Sequence, residues 1–410
     1  MKETVNIGYI GLGRRGTGIL KNCLCQMEDV RILWLCDTED ERLERGSSAV
    51  LEAGGTAPGL TKDYRQILAD PRVDAVFIMT GWSGRPRLAM ESMEAGKYTA
   101  IEVGCADDLQ ECWDLVDTYE RTGVPVMMLE NACYCRRELL ALNMKKQGLF
   151  GEIVHCTGAY AHYLNEVELF KGIDAPGRKH YRLDEYINRN RENYPTHDLG
   201  PISKVLSLNR GNRMNSLVSV ASKARGLRQY AEDHLGKDSR YANMEYRQGD
   251  IVNTLITCEN GETILLTLDT TLPRPYYSRQ FSVRGTRAMV GEERKVVYLE
   301  GMEEEIGFNE EEFFAKYDHP IYRETDVASL GGGHGGVDWL VCRGFIESVR
   351  AGIQTPIDAY DTALWLSIGP LSEASIRTGE AVAVPDFTRG KWQKPAEPIR
   401  TVYCLDDVVE

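Results

Sequence analysis

A chain of 410 residues exceeds what one hydrophobic core ordinarily serves, so two domains is the simplest count. Its 42% hydrophobic content suffices for a sizeable core and excludes a disordered tail. With 62 acidic against 48 basic residues the net charge is −14, which repels a phosphate backbone and argues against nucleic acid as a partner. No run approaches the ~18 apolar residues that span a bilayer. The first predicted strand starts at Val5 and leaves no room for a signal peptide, so a cytoplasmic protein off the membrane is expected. Eleven scattered cysteines suit reduced, buried thiols. The pairs Cys23/Cys25 and Cys133/Cys135 lack a second matching half, and no metal site is expected.

The β-rich run Val5 to Ile10 feeds Gly11-Leu12-Gly13-Arg14-Arg15-Gly16, and Thr17 to Met27 reads as a helix. A second apolar run, Val30 to Cys36, ends in Asp37, roughly 20 residues after Gly16, the spacing of a dinucleotide fingerprint. Helices at 63–68, 85–94 and 109–121 then alternate with strands at 74–79, 98–102 and 124–129. This alternation predicts a doubly wound parallel sheet, a Rossmann domain over residues 1–130. Ligand is expected at the strands' carboxyl ends, which carry Gly11, Asp37, Thr80 to Trp82, Glu102 and Glu130-Asn131.

Beyond residue 130 the pattern changes. A helix at 136–147 precedes period-2 strands at 152–160, 216–222, 251–258, 263–270 and 280–284, joined in part by short turns such as Glu259-Asn260-Gly261-Glu262. Residues 131–410 are therefore expected to form an α+β domain with a largely antiparallel open sheet, giving an α/β protein overall. Two late helices, 337–351 and 358–378, follow a glycine loop and are expected to pack across one sheet face.

The glycines of the fingerprint have separate tasks. Gly11 makes the tight turn, Gly13 lets backbone N–H groups approach a pyrophosphate, and Gly16 lets the helix pack on the strand. Asp37 suits the adenosine ribose hydroxyls and repels the extra phosphate of NADP, so NAD is the expected cofactor despite Arg42 nearby.

This architecture resembles the oxidoreductase family that includes glucose–fructose oxidoreductase and inositol dehydrogenase. Those enzymes carry Glu-Lys-Pro after the fifth strand, where this chain has Glu102-Val103-Gly104. Lys97, six residues back, lies roughly 20 Å away along an extended strand and cannot replace the missing lysine.

A narrower resemblance rests on segments spread in order along the chain: Leu129-Glu130-Asn131, Arg136-Arg137-Glu138, Gly148-Leu149-Phe150-Gly151-Glu152, Gly158-Ala159-Tyr160, Tyr194-Pro195-Thr196-His197, Asp269 to Tyr276, Gly333-His334-Gly335-Gly336 and Pro385 to Gly390. Together they look like glycoside hydrolase family 109, NAD-dependent α-N-acetylgalactosaminidase-like enzymes. The resemblance implies hydrolysis that uses NAD without consuming it. Oxidation at C3 of the sugar acidifies the C2 hydrogen, loss of that proton expels the aglycone, water adds at C1, and the hydride returns.

By the same resemblance Tyr194 and His197 serve the C3 hydroxyl, with Tyr194 also near the cofactor. A neutral imidazole is a suitable base for that step. Tyr160 matches the proton-transfer residue at C2; with a tyrosine pKa of about 10 it needs a positive charge nearby. Arg182 and Tyr276 match substrate-contacting positions. The cofactor set comprises Gly11, Gly13, Arg14, Arg15, Gly16, Asp37, Trp82, Arg85, Glu102, Val103, Asn131, Tyr194 and His334.

Plainer readings stand beside these. Tyr160 closes a strand and Tyr276 lies in a proline-rich turn, where either could simply pack with a satisfied hydroxyl. His197 follows a proline and reads as a loop residue, and His334 either touches the cofactor or permits a sharp chain path. The chain also departs from the family pattern at Ser83-Gly84-Arg85 after Trp82 and at Asp198 after His197, which leaves the sugar and its anomer open. The expected ligand is a small-molecule glycoside and the expected assembly a homo-oligomer, dimer or larger. A sugar dehydrogenase and a non-catalytic NAD or sugar sensor remain the alternatives.

Overall fold

The glycine-rich turn sits at the end of the first of six short strands: β1 Val5–Ile10, β2 Val30–Cys36, β3 Gly59–Thr61, β4 Ala75–Ile78, β5 Tyr98–Ile101 and β6 Val126–Met128. In this computed structural model, which describes residues 1–172, 180–303 and 307–409, all six pair in parallel in the order β3-β2-β1-β4-β5-β6. The run Ala-Val-Phe-Ile of β4 is buried at every position, as a parallel strand covered on both faces must be. Strand order reverses between β1 and β4, so their carboxyl ends flank the switch point at which such sheets bind ligands.

The second sheet is built from β7 Ile153–Ala161, β8 Met214–Ala221, β9 Ile251–Cys258, β10 Thr263–Asp269, β11 Ser282–Gly285, β12 Ala288–Gly291, β13 Val296–Leu299 and β14 Val382–Ala383. Its order is β13-β12-β11-β7-β10-β9-β8-β14, antiparallel except where β10 runs parallel to β7. In β9 the odd positions Asn253, Leu255 and Thr257 are exposed while Val252, Thr254, Ile256 and Cys258 are buried, the period-2 pattern of a sheet covered on one face.

The described chain divides into two compact units, one of residues 1–143, 318–364 and 396–410, the other of residues 144–317 and 365–395. The two late helices do not share one sheet face. Val337–Ala351 packs on the parallel sheet, where Phe345 meets Phe77 of β4 edge-on at 5.2 Å. The later part of Ala359–Thr378 serves the second sheet instead. Ser375 Oγ accepts the Ser219 N–H of β8 at 2.9 Å, and the Trp365 indole donates to Ser203 Oγ at 3.0 Å. No helix among the described residues is long and apolar enough to cross a membrane.

Candidate active site

In the first unit, Gly11 adopts φ +98°, and a Cβ there would lie 2.8 Å from the Met79 backbone. A Cβ on Gly16 would come 2.1 Å from the Gly11 carbonyl oxygen, so only glycine lets helix Arg14–Asn22 start this close to β1. At Gly13, the residue capping that helix, nothing lies within 4 Å of an added Cβ, so the turn is open to a pyrophosphate at the helix N-terminus. The Asp37 carboxylate accepts the Leu12 N–H at 2.7 Å and the Glu39 N–H at 3.1 Å, fixing the acid beside the turn. Arg42 is engaged by Glu39 at 2.9 Å and faces Asp37 at 3.6 Å. The residues present thus fit NAD: an open glycine turn, a helix start, and an acid placed for ribose hydroxyls.

At the far side of the same carboxyl edge, one carboxylate gathers three side chains. Asp338, in the first turn of helix Val337–Ala351, takes both Nη atoms of Arg15 at 2.5 and 2.8 Å, the Asn131 amide at 2.6 Å and His334 Nδ1 at 3.0 Å. Arg15 also reaches Glu102 Oε2 at 3.0 Å. Although burial acts in the opposite direction, the hydrogen bonds from His334 and Arg15 hold the Asp338 carboxyl well below the usual carboxylate range. His334 adopts φ +55° in a loop where Gly332, Gly335 and Gly336 also take positive φ, and its side chain remains exposed. Trp82 lies beneath Gly104, where a Cβ would be 2.4 Å from the indole. Arg85 is buried and clamps the backbone oxygens of Thr80, Glu102 and Val103. Val103 donates its N–H to Glu102 Oε1 at 3.1 Å, and Arg14 stands exposed at the helix start. Lys97 is held at the opposite end of β5, where its ammonium donates to the Asp70 and Val73 carbonyls, both at 2.9 Å.

In the second unit the corresponding groups are rings. A Cβ on Gly158 of β7 would lie 2.6 Å from Asp198 Cβ, so this glycine lets helix Thr196–Val205 lie directly on the strand. His197 therefore belongs to a helix rather than a loop: Pro195 caps the first turn, where its missing N–H costs nothing. The close approach brings His197 to 5.6 Å from the Tyr160 ring and 5.0 Å from the Tyr194 ring, while the two tyrosines stack at 4.2 Å. Arg182 lies over Tyr194 at 4.5 Å and pairs with Glu168 at 3.1 Å. His162 and Tyr277 complete the group, with Tyr160 Oη 3.4 Å from His162 Nδ1 and the Tyr277 ring 5.1 Å from the His162 ring.

Burial pushes the Tyr160 phenol up to about 12, against the pull of the Arg182 charge. Arg182 is itself buried, which opposes its charge, yet the Glu168 carboxylate keeps the guanidinium firmly protonated. A phenolate at Tyr160 thus has a fixed cation facing it from within the same unit. Glu192, two residues before Tyr194, is fully buried. Its Oε1 accepts the Tyr194 N–H at 3.2 Å, Oε2 has no hydrogen-bond partner, and burial pushes the carboxyl up to about 8.

The structure thus gathers Arg15, Glu102, Asn131 and His334 in one unit and Tyr160, Tyr194, His197 and Arg182 in the other. Tyr276 stands apart from the rings: it is exposed and its hydroxyl turns to Glu293 at 3.3 Å, while the neighbouring Tyr277 meets Tyr160. Sequence reasoning overlooked Asp338, Glu168, His162 and Tyr277 as members of these groups. An acid opening a helix after a glycine loop was a usable signal for Asp338. Nothing local distinguished Tyr277 from Tyr276.

Residues 5–130 match the oxidoreductase family with an NAD-binding Rossmann fold, and residues 134–394 match the C-terminal domain of glycosyl hydrolase 109. An alpha-N-acetylgalactosaminidase from Tannerella forsythia is 36% identical over 409 residues, covering 95% of this chain and 87% of that protein. A glycosyl hydrolase family 109 protein from Shewanella sp. (strain MR-4) is 39% identical over 410 residues, covering 98% and 89%. Among solved structures, a levoglucosan dehydrogenase in complex with NADH and levoglucosan superposes with a TM-score of 0.71 at 18% identity, covering 93% of this chain and all of that one, a likeness of fold.

Proposed function

The chain belongs to glycosyl hydrolase family 109, and on that premise we propose that this NAD-dependent glycosidase hydrolyses N-acetylgalactosaminides, α-linked ones first, through proton transfers made by Tyr160 and His197. The observation that carries the reading is the buried cluster of Tyr160, Tyr194 and His197 around Arg182, an arrangement of two acid–base groups and one fixed cation. The sugar is taken from the name of the Tannerella relative.

Bound NAD supplies a hydride acceptor that gives the hydride back within the turnover. Gly11, Gly13, Gly16 and Asp37 would hold its adenosine and pyrophosphate part, and the Arg15, Glu102, Asn131 and His334 group the remainder. The chain's other residues handle protons. The His197 imidazole takes the proton of the C3 hydroxyl, with Tyr194 beside it positioning that hydroxyl. Tyr160 takes the proton from C2, and Arg182 stabilises the phenolate form that can do so. In this reading Arg182 and the exposed Tyr276 also contact the substrate.

The lysine expected of a dehydrogenase is absent from this edge, since Val103 occupies that position and Lys97 is tied down elsewhere. Cytoplasmic residence belongs to the same reading, supported by eleven cysteines none of which is in a disulfide. So does self-association through the open sheet face, where Val220 of β8 and Leu255 of β9 are exposed on neighbouring strands. The experiment is a chromogenic aryl α-N-acetylgalactosaminide turned over by the NAD-loaded protein, following aglycone and NADH together. Many turnovers per bound NAD with no net NADH are expected. Oxidised sugar formed one-for-one with NADH would instead establish a dehydrogenase.

A further inference from the structure

Strand β7 ends at Tyr160-Ala161 and is followed directly by His162, and the two-residue repeat of extended chain sends the side chains of Tyr160 and His162 to the same side. Tyr160 Oη and His162 Nδ1 are 3.4 Å apart, with the rings edge-on at 5.8 Å. The histidine is fixed from two directions. Its backbone N–H donates to the Asp269 carbonyl at 2.9 Å, and its ring rests against Tyr277 at 5.1 Å and 63°. Tyr160 is only 6% exposed, while His162 is half-buried and closer to water.

A phenol so enclosed cannot take a proton from carbon while keeping its own; it needs an acceptor for the hydrogen it already carries. Among the groups facing it, Arg182 only donates. Its neighbour Glu168 is turned to that guanidinium, and Tyr194 is stacked ring on ring at 4.2 Å. His197 lies across the ring face at 5.6 Å and serves the C3 hydroxyl, and the buried Asp198 beside it acts on the phenol through its charge rather than through a hydrogen bond. An imidazole nitrogen at 3.4 Å is the group placed to receive the phenol's hydrogen and pass it outward.

We infer that His162 is a proton relay for Tyr160, a positioning and proton-holding residue that acts through the phenol and never touches the sugar. The inference rests on the assignment of Tyr160 to the C2 proton. As the C2–H bond breaks, a new Oη–H bond forms, the old Oη–H bond breaks, and Nδ1–H forms on His162. The electron pair left at C2 becomes the C1–C2 double bond, and the pair of the C1–O bond leaves with the aglycone. In the return half the oxygen of water bonds to C1, the second hydrogen of that water ends on the aglycone oxygen, C2 regains from Oη a hydrogen that has exchanged with solvent through His162 Nδ1, and Nδ1 returns its hydrogen to Oη. No oxidant or reductant is needed for these steps beyond the C3 carbonyl already in place.

The test uses the NAD-loaded protein and its His162→Ala, His162→Gln and Tyr160→Phe variants with an aryl α-N-acetylgalactosaminide. Turnover of His162→Ala should fall by about 10²-fold, within the range for one general acid–base group, with the single-turnover NADH signal still formed. Added free imidazole should restore much of the loss in His162→Ala and none in Tyr160→Phe, and His162→Gln, which keeps a polar side chain but cannot hold the proton, should stay slow. Wild-type rates in His162→Ala with Tyr160→Phe inactive would overturn the relay while leaving Tyr160 as the base. A slow His162→Ala that imidazole does not revive would show a merely structural histidine and also overturn it. A fully active Tyr160→Phe would remove the Tyr160 assignment itself.

Discussion

In the first unit the groups assigned to the cofactor are gathered by charge: one buried carboxylate, Asp338, takes hydrogen bonds from Arg15, Asn131 and His334. In the second unit Tyr160, Tyr194, His197 and Tyr277 are gathered by ring contacts beside the buried cation Arg182. The difference matches the role proposed for each. Charge-assisted hydrogen bonds fix directions, which suits holding a large polar cofactor in one pose. Apolar rings withdraw water, which shifts the proton affinity of the groups they enclose, and the raised Tyr160 phenol is the result.

The sharpest way to break this contrast is to remove one proton-carrying atom from the aromatic unit. Tyr160→Phe keeps the ring stack and deletes only the hydroxyl, so turnover should fall by roughly 10²–10⁴-fold with substrate affinity nearly unchanged, read from kcat and KM separately. A subtler perturbation acts through packing. Gly158→Ala forces helix Thr196–Val205 off β7, because the new methyl would lie 2.6 Å from Asp198 Cβ. Overpacking of this kind costs about 1–3 kcal/mol, and because it displaces His197 it should lower kcat by more than that loss of stability explains. Thermal denaturation and kinetics on the same preparation check this.

The charge-built unit should respond differently. Asp338→Asn retains the shape but leaves Arg15 with Glu102 alone, so NAD should bind about tenfold more weakly, a difference of ~1.4 kcal/mol, while single-turnover chemistry at saturating NAD is little altered. The smallest effect concerns Glu192. Its folded-state value of about 8 lies above the ordinary 4.5, so the native state holds a proton that the unfolded chain releases between those values. Its contribution to stability is therefore full below pH ~4.5 and lost as pH rises through about 8. Melting temperatures across pH 5–9 should decline less steeply in Glu192→Gln than in the unmodified protein.

Much of this was legible in the sequence where physics is local. The fingerprint Gly11-x-Gly13-x-x-Gly16 with Asp37, and the apolar runs that became β1, β2 and β4, each depend on a short stretch of chain. Strands β12, β13 and β14, of four, four and two residues, were not foreseen, since so few positions carry no readable alternation. His197 reads as a loop residue because it follows Pro195, yet that proline caps the helix. The site in each unit depends on partners far apart in the chain, such as Asp338 with Arg15 or Tyr160 with Tyr277, and no local pattern announces such pairs. The return of residues 318–364 to the first unit was hidden for the same reason.

The account rests on a proton leaving C2 of the sugar during hydrolysis. The most direct measurement is turnover of an aryl α-N-acetylgalactosaminide in heavy water, with the released sugar read by proton NMR at C2. Deuterium at C2 of the product, at a level tracking the number of turnovers, is the predicted result. A released sugar that keeps its original hydrogen at C2, at an undiminished rate, would contradict the account.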